Sequence, residues 1–203
     1  MVDKSKWIAK TIEDPNHSSW YIERFRAKAA AGEDLAGEAR FVHALVPPGA
    51  RVLDAGCGPG RVGGALCELG HDVVGVDVDP ELIAAAEVDH PGPRWIVGDL
   101  AELDLAAHGI TGGFDAIVSA GNVMAFLAAS TRRAVLTGLR QELRPDGRLA
   151  IGFGAGRDYA FDEFFDDVAA AGLVPELELA TWDLRPFHEQ SEFLVVLLVH
   201  QSP

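Results

Sequence analysis

The stretch Val52-Leu53-Asp54-Ala55-Gly56-Cys57-Gly58-Pro59-Gly60-Arg61 decides the fold of this chain. It begins as an apolar strand, reaches an acidic residue, and then carries three glycines at alternate positions. A helical run follows at once, from Val62 to Leu69. Glycines let a backbone approach a ligand closely, and the free N–H groups at the start of a helix point towards it. The stretch therefore predicts a binding site for a nucleotide-like ligand.

The spacing of these glycines distinguishes between two classes of nucleotide site. A dinucleotide-binding fingerprint, Gly-x-Gly-x-x-Gly, needs its third glycine at position 61, where this chain has Arg61. Here the third glycine comes one residue earlier, at Gly60. The spacing therefore disfavours a nicotinamide-dependent oxidoreductase.

Two later strands also end in an acidic residue. They are Val73-Val74-Gly75-Val76-Asp77 and Trp95-Ile96-Val97-Gly98-Asp99-Leu100. Ligands of open α/β sheets bind outside the carboxyl ends of the strands, so Asp54, Asp77 and Asp99 are expected along one rim of the sheet. A carboxylate in this position can accept two hydrogen bonds from the hydroxyl groups of a ribose.

The motif Asp-x-Gly-x-Gly-x-Gly, from Asp54 to Gly60, resembles the first motif of the class I S-adenosylmethionine-dependent methyltransferases. The two later acids extend the resemblance in the right order. It implies that Asp77 binds both ribose hydroxyls and that Asp99 contacts the adenine amino group. The cofactor-binding residues that it implies are Asp54, Ala55, Gly56, Cys57, Gly58, Gly60, Asp77, Val78, Asp99, Leu100 and Ala120.

Each of these acids also has a purely structural interpretation. Asp77 can be a loop or helix-cap acid, and Asp99 can cap a turn. Asp54 is expected to orient the glycine loop near the amino group of the cofactor, and it can also stabilise that loop without touching a ligand. These interpretations stay open at this point.

The rest of the chain alternates strands and helices, which predicts an α/β, Rossmann-like, doubly wound sheet of seven strands with helices on both faces. It is expected to be mostly parallel, with one antiparallel strand in a C-terminal hairpin. The expected strands are Arg51–Ala55, Asp72–Asp77, Arg94–Val97, Phe114–Ser119, Arg148–Phe153, about Leu173–Thr181, and Glu192–His200. The expected helices run from His17 to Gly32, Leu35 to Leu45, Arg61 to Leu69, Glu81 to Val88, Ser130 or Thr131 to Leu143, and Asp162 to Ala171.

The expected domain organisation is one domain with two parts. Residues 1–49 form an N-terminal helical flap, of which Met1–Asn16 is a poorly specified arm, and residues 50–203 form the cofactor-binding core. The resemblance implies that the flap covers cofactor and substrate. His17, Tyr21 and Arg26 of the flap are candidates to reach the cofactor's carboxylate, or they serve helix packing and solvation.

The composition and charge of the chain limit which binding partners and which location are expected. The net charge is −14, and the chain shows no cluster of five or more basic residues, so nucleic acid is a disfavoured substrate. The longest apolar run, Phe193–Val199, is shorter than the ~20 residues of a membrane span. Met1–Lys6 lacks the apolar region of a secretory signal. The two cysteines, Cys57 and Cys67, are expected to be reduced thiols, which favours a cytoplasmic location.

No motif specifies a catalytic residue, and the candidates are Asn122, Arg185 and His188. Asn122 follows the fourth strand and can either bind an acceptor or satisfy its own turn. Arg157, Arg185 and His188 are expected in loops at the rim, where they can recognise an anionic acceptor, remove a proton, or be ordinary surface residues. No His or Cys cluster has metal-ligand spacing, so no metal is predicted.

The resemblance implies an S-adenosylmethionine-dependent methyltransferase, whose product is S-adenosylhomocysteine. Residues 121–126 lack the Asn-Pro-Pro-Tyr signature of enzymes that methylate amino groups of nucleic acids, so a small-molecule acceptor is expected. Catalysis is expected by direct displacement, with acceptor and methyl held at about 3–3.5 Å. The alternatives are an RNA or protein methyltransferase and a non-catalytic cofactor-binding module. No pattern in the sequence indicates an oligomeric state.

Overall fold

Residues 2–201, the part of the chain that the computed structural model describes, contain eight α-helices and seven strands. The helices are α1 (Lys6–Glu13), α2 (His17–Ala30), α3 (Gly37–Leu45), α4 (Arg61–Glu68), α5 (Pro80–Asp89), α6 (Val123–Phe126), α7 (Arg132–Glu142) and α8 (Phe161–Ala170). The strands are β1 (Arg51–Ala55), β2 (Asp72–Asp77), β3 (Arg94–Val97), β4 (Phe114–Ser119), β5 (Leu143–Gly154), β6 (Leu173–Leu179) and β7 (Phe193–His200). The outermost residues of the expected flap and core, 1, 202 and 203, lie outside the described part.

The strands form one sheet in the order β3-β2-β1-β4-β5-β7-β6. β1 to β5 are parallel to one another, and β7 runs antiparallel to both β5 and β6. The expected seven-stranded sheet with one antiparallel strand is therefore confirmed. Strands β2 and β3 lie on one side of β1, and β4 and β5 lie on its other side, so the strand order switches between β1 and β4. The carboxyl ends of these two strands border the crevice in which such folds bind ligands.

Both faces of the sheet are covered, as expected for a doubly wound fold. On one face, Leu53 and Ile117 belong to a core that includes Leu136 of α7 and Phe164 of α8. The other face packs against α3 and α4. Strands buried on both sides read as continuous apolar runs, and the expected bounds of β1 to β4 coincide with the observed ones for this reason.

The expected start of the fifth strand is wrong. Leu143 was expected to end a helix before a turn at Arg144–Gly147, but α7 ends at Glu142 and β5 begins at Leu143. Leu143 is buried and pairs with Phe114, and the register between β4 and β5 shifts after that pair. Burial of the leucine and the β-bulge together keep the chain extended through a Pro-Asp-Gly sequence that is typical of a turn.

The expectation of a poorly specified N-terminal arm is also wrong, because residues 6–13 form α1. Ser5 caps this helix, with its Oγ accepting the N–H of Ile8 at 3.3 Å. The helix is anchored by Asp79, which accepts a hydrogen bond from Trp7 Nε1 at 2.7 Å and one from the hydroxyl of Ser18.

Asp79 is also the N-cap of α5, since its Oδ1 accepts the N–H of Glu81 at 2.9 Å. One buried carboxylate, 4% exposed, thus joins α1 and α2 to the core. It fixes the two helices above the carboxyl ends of the strands.

Candidate functional site

A cavity of about 450 Å³ lies at the carboxyl ends of the central strands, beneath α1 and α2. Nine of the eleven expected cofactor-binding residues line it: Asp54, Gly56, Cys57, Gly58, Asp77, Val78, Asp99, Leu100 and Ala120. Ala55 and Gly60 do not line it. Ala55 points into the core of the sheet, and Gly60 packs against Ala86 and Trp95 behind the glycine loop.

Asp77 fastens the glycine loop to the end of β2. Its Oδ2 accepts the N–H of Gly58 at 2.8 Å, and its Oδ1 accepts the N–H of Asp79 at 3.0 Å. Burial raises the pKa of the Asp77 carboxyl to about 6, against the lowering effect of these two hydrogen bonds. Each carboxylate oxygen has a second lone pair, so Asp77 can still accept hydrogen bonds from a ligand in the cavity.

Asp54 supports the loop from the other side. It is 2% exposed, and its Oδ2 accepts the N–H of Gly63 in the first turn of α4 at 2.8 Å. Burial raises the pKa of the Asp54 carboxyl to about 7. Its contact with α4 is the loop-orienting role expected from the sequence, and its place in the cavity lining leaves a ligand contact as a prediction.

Asp99 caps a short 3₁₀ turn after β3, because its Oδ1 accepts the N–H of Ala101 at 2.9 Å. Within residues 2–201, its Oδ2 has no hydrogen-bond partner. The carboxylate is half-buried and lines the cavity. The turn-capping and ligand-binding interpretations are therefore compatible, one for each oxygen.

Trp95, expected only as part of the third strand, packs beneath the glycine loop. A Cβ added at Gly75 would stand 2.2 Å from its indole ring, and one added at Gly60 or Gly63 would stand 2.9 or 2.8 Å from it. The ring therefore fills the space that three glycines leave beneath the loop. Its Nε1 donates to the carbonyl of His90 at 3.0 Å, which fixes the orientation of the indole.

The roof of the cavity is aromatic. Trp7 of α1 lies 5.2 Å from Tyr21 and 5.6 Å from Phe126 between ring centroids. Tyr21 packs over the glycine loop, since its ring lies 3.7 Å from the position of a Cβ at Gly58. Sequence reasoning found Tyr21 and His17, which both line the cavity, but missed Trp7 because α1 was not expected.

Arg26, the third flap candidate, does not line the cavity. Its guanidinium forms an ion pair with Asp89 at 2.8 Å on the surface. The position of α2 points Arg26 towards α5 and away from the strand ends. Arg24, two residues earlier, lines the cavity instead.

The three catalytic candidates are not brought together. Asn122 lines the cavity, and its Oδ1 accepts the N–H of Gly154 at 2.8 Å, so its amide NH₂ remains as a donor. Arg185 and His188 lie in the β6–β7 connection and do not line the cavity. That connection belongs to the edge of the sheet, where β7 and β6 lie beyond β5. Phe193, at the start of β7, pairs with Gly154, at the carboxyl end of β5, so this connection lies on the expected rim but beyond β5. A role of these two residues at the site stays a prediction.

Neither a metal cluster nor a membrane-spanning helix is found within residues 2–201. Between residues 2 and 201, no three His, Cys, Asp or Glu side chains come together in a way that could hold a metal ion. None of the helices in the same range combines the length and the apolar character that crossing a membrane requires.

The chain is similar in sequence and structure to known methyltransferases. A family model described as "Methyltransferase domain" matches residues 52–147. The crystal structure of a TehB-like SAM-dependent methyltransferase from Corynebacterium glutamicum is 48% identical, with a TM-score of 0.87, and the match covers 92% of this chain and 100% of that one.

Two curated relatives match shorter segments. A ribosomal protein L11 methyltransferase of Symbiobacterium thermophilum is 36% identical over 140 residues, which are 67% of this chain and 42% of that protein. A ubiquinone biosynthesis O-methyltransferase of Xanthomonas campestris pv. campestris is 37% identical over 79 residues, 33% of each chain. The chain thus spans less than half the length of these two relatives.

Proposed function

The chain belongs to the class I S-adenosylmethionine-dependent methyltransferases, and on that premise we propose that it transfers a methyl group from this cofactor to a small-molecule acceptor. The observation that carries the proposal is the cavity of about 450 Å³, which joins the strand-end acids to a space roofed by aromatic side chains. A space of about 450 Å³ closed by two helices suits a nucleoside and a small acceptor. The net charge of −14 supports an acceptor other than nucleic acid.

The strand-end acids fit S-adenosylmethionine. Asp77 has lone pairs for the ribose hydroxyls, and Asp99 has an oxygen for the adenine amino group that no residue from 2 to 201 contacts by a hydrogen bond. Gly56 brings backbone close to the ligand in a conformation with φ of +80°, and a Cβ there would collide with Val123 at 2.4 Å. When bound, S-adenosylmethionine supplies an electrophilic methyl group on a sulfonium centre.

We propose that the residues of this chain act on the reaction by position. Asn122 holds the loop after β4 to Gly154 of β5 and offers its NH₂ group to the acceptor. Side chains of α1 and α2 line the cavity and cover part of it. Orientation of this kind can supply much of the rate enhancement of a displacement reaction, so no side chain has to form a covalent intermediate.

A protein acceptor is the second candidate, favoured by the similarity to a ribosomal protein L11 methyltransferase. We also propose a cytoplasmic location. Both cysteines, Cys57 and Cys67, are free thiols, as is usual for proteins of a reducing compartment.

The proposal is tested by calorimetry and by turnover. We expect the purified chain to bind S-adenosylhomocysteine and not NAD, and to form S-adenosylhomocysteine from S-adenosylmethionine with small phenols, thiols or amines. Turnover with ribosomal proteins alone would support the second candidate. Binding of S-adenosylhomocysteine without turnover on any acceptor would identify a non-catalytic module. Binding of NAD in place of S-adenosylhomocysteine would contradict the proposal.

Cofactor affinity is expected to fall as the pH is lowered through about 6. The raised pKa of Asp77, about 6 in the free protein, means that the carboxyl becomes protonated below this pH and loses charge-assisted hydrogen bonds to the ribose. The dissociation constant of S-adenosylhomocysteine should then rise by up to about tenfold per pH unit. Calorimetry between pH 5 and 8 measures this. The Asp77→Asn variant should lose the part of this dependence centred near pH 6, whereas any part due to Asp54, whose pKa burial raises to about 7, remains. A flat profile in the wild type would contradict the assignment.

A further inference from the structure

Four basic side chains stand out in this acidic protein. The chain has 17 Lys and Arg residues against 31 Asp and Glu residues, so most basic side chains are expected to have a carboxylate nearby. Within residues 2–201, the side chains of all but four of these basic residues form an ion pair or donate a hydrogen bond; the exceptions are Lys4, Lys10, Arg24 and Arg157. Three of these four, Lys10, Arg24 and Arg157, line the cavity.

Lys10 and Arg157 lie at the same end of the cavity. Lys6 of α1 pairs with Asp158 at 3.5 Å, which ties α1 to the loop after β5. Lys10 follows Lys6 by one helical turn on the same face, and its Nζ lies 5.9 Å from the ring centroid of Phe126. These contacts bring Lys10 over the β4–β5 side of the site.

Arg157 is placed there directly. Its Nε and the Oδ1 of Asn122 both lie 3.4 Å from the position of a Cβ at Gly154. Arg157 therefore lies beside Asn122, the one catalytic candidate that lines the cavity. Arg24 belongs to the other side, because it is one turn from Tyr21, which packs over the glycine loop where the cofactor is expected.

The lining carboxylates are all at the cofactor side. They are Asp54, Asp77 and Asp99, at the ends of β1, β2 and β3, and each accepts a backbone N–H. The end with Lys10 and Arg157 has no lining carboxylate within the described residues, and both cations are exposed at its mouth. A cleft lined by charges of one sign concentrates ligands of the opposite sign.

The wall beside these cations is aromatic. Phe126 lines this end, and Trp7 packs edge-on against it at 5.6 Å between ring centroids. We propose that the acceptor is a small planar molecule that carries a carboxylate. Lys10 and Arg157 bind the carboxylate, and Phe126 contacts the planar body. This inference rests on the proposed function and names its substrate class.

The test compares matched probes on protein saturated with S-adenosylhomocysteine. The probes are the 4-carboxylate and 4-carboxamide forms of phenol, thiophenol and aniline, and calorimetry measures their affinities. We expect the carboxylate to bind at least tenfold more tightly than the carboxamide. The Lys10→Met, Arg157→Gln double variant should lose this preference while it keeps the wild-type affinity for S-adenosylhomocysteine. Lys4→Met, which removes an unpaired cation outside the cavity, should change neither.

Three results would overturn the inference. The first is equal affinity for the carboxylate and the carboxamide in every probe pair, including no binding of either. The second is a loss of the carboxylate preference in Lys4→Met as large as in the double variant. The third is a loss of S-adenosylhomocysteine affinity in the double variant, which would assign these cations to the cofactor. Failure of the wild-type chain to bind S-adenosylhomocysteine is a different result, because it contradicts the proposed function itself. The two failures are therefore told apart in the same titration series.

Discussion

Replacing Asp77 with alanine is expected to weaken the binding of S-adenosylhomocysteine at least a hundredfold. The variant removes the one carboxylate at the end of β2 that can accept both ribose hydroxyls, and charge-assisted hydrogen bonds contribute about 1.5–3 kcal/mol each. It also frees the N–H groups of Gly58 and Asp79, so the glycine loop loses its attachment to β2. Isothermal calorimetry at pH 8 measures the loss.

The fold should tolerate this change better than the affinity does. Burial raises the folded-state pKa of Asp77 to about 6, so its contribution to stability is present at low pH and is lost as the pH rises through that value. At pH 8 the ionised, partly buried carboxylate therefore carries a desolvation cost that alanine removes. This gain offsets part of the loss of the two backbone hydrogen bonds.

The matched control is Asp72→Ala, which removes an acid from the other end of the same strand. Asp72 is exposed, and its contact with Arg51 is an ion pair at 3.5 Å. Neither the binding free energy of S-adenosylhomocysteine nor the free energy of unfolding should therefore change by more than about 1 kcal/mol. Asp77→Asn, which keeps an acceptor oxygen without the charge, should fall between wild type and alanine. An affinity of Asp77→Ala within threefold of wild type would remove the basis of the cofactor assignment.

The strands that position this site could be predicted from the sequence because their signals are local. β1 to β4 are apolar runs buried on both faces, and glycines or turn residues bound them closely. The acids at their ends follow from the sheet itself, since the carboxyl ends of parallel strands share one rim. Asp54, Asp77 and Asp99 therefore appear at the cavity as expected.

Long-range contacts account for what could not be predicted. α1 buries no residue of its own and depends on a hydrogen bond from Trp7 to Asp79, which is 72 positions away. The start of β5 depends on Leu143 pairing with Phe114. The loop of Arg185 and His188 lies on the expected rim, but the strand order places it beyond β5, and neither residue lines the cavity. Pairing order is not a local property of the sequence.

Trp95→Ala is expected to lower the free energy of unfolding by about 3–5 kcal/mol, the usual range for truncating a buried tryptophan. The indole is 9% exposed and packs with Cys57, Ile83 and Ala86. It also occupies the space beneath three glycines, which have no side chains to close the cavity left behind. Urea denaturation measures the change. The total free energy of unfolding of native proteins is only about 5–15 kcal/mol, so this loss is a large share of it.

The same variant links stability to binding, because the indole supports the loop from below. Gly60 and Gly63 rest on the ring, and Gly63 donates to Asp54, so a loosened α4 start should also weaken S-adenosylhomocysteine binding. The ligand should then raise the melting temperature of Trp95→Ala less than that of wild type. Trp20→Ala is the control for stability, since Trp20 is 53% exposed and its loss should cost less than about 1 kcal/mol. Equal stability losses in the two tryptophan variants would show that the ring beneath the loop is not what holds it.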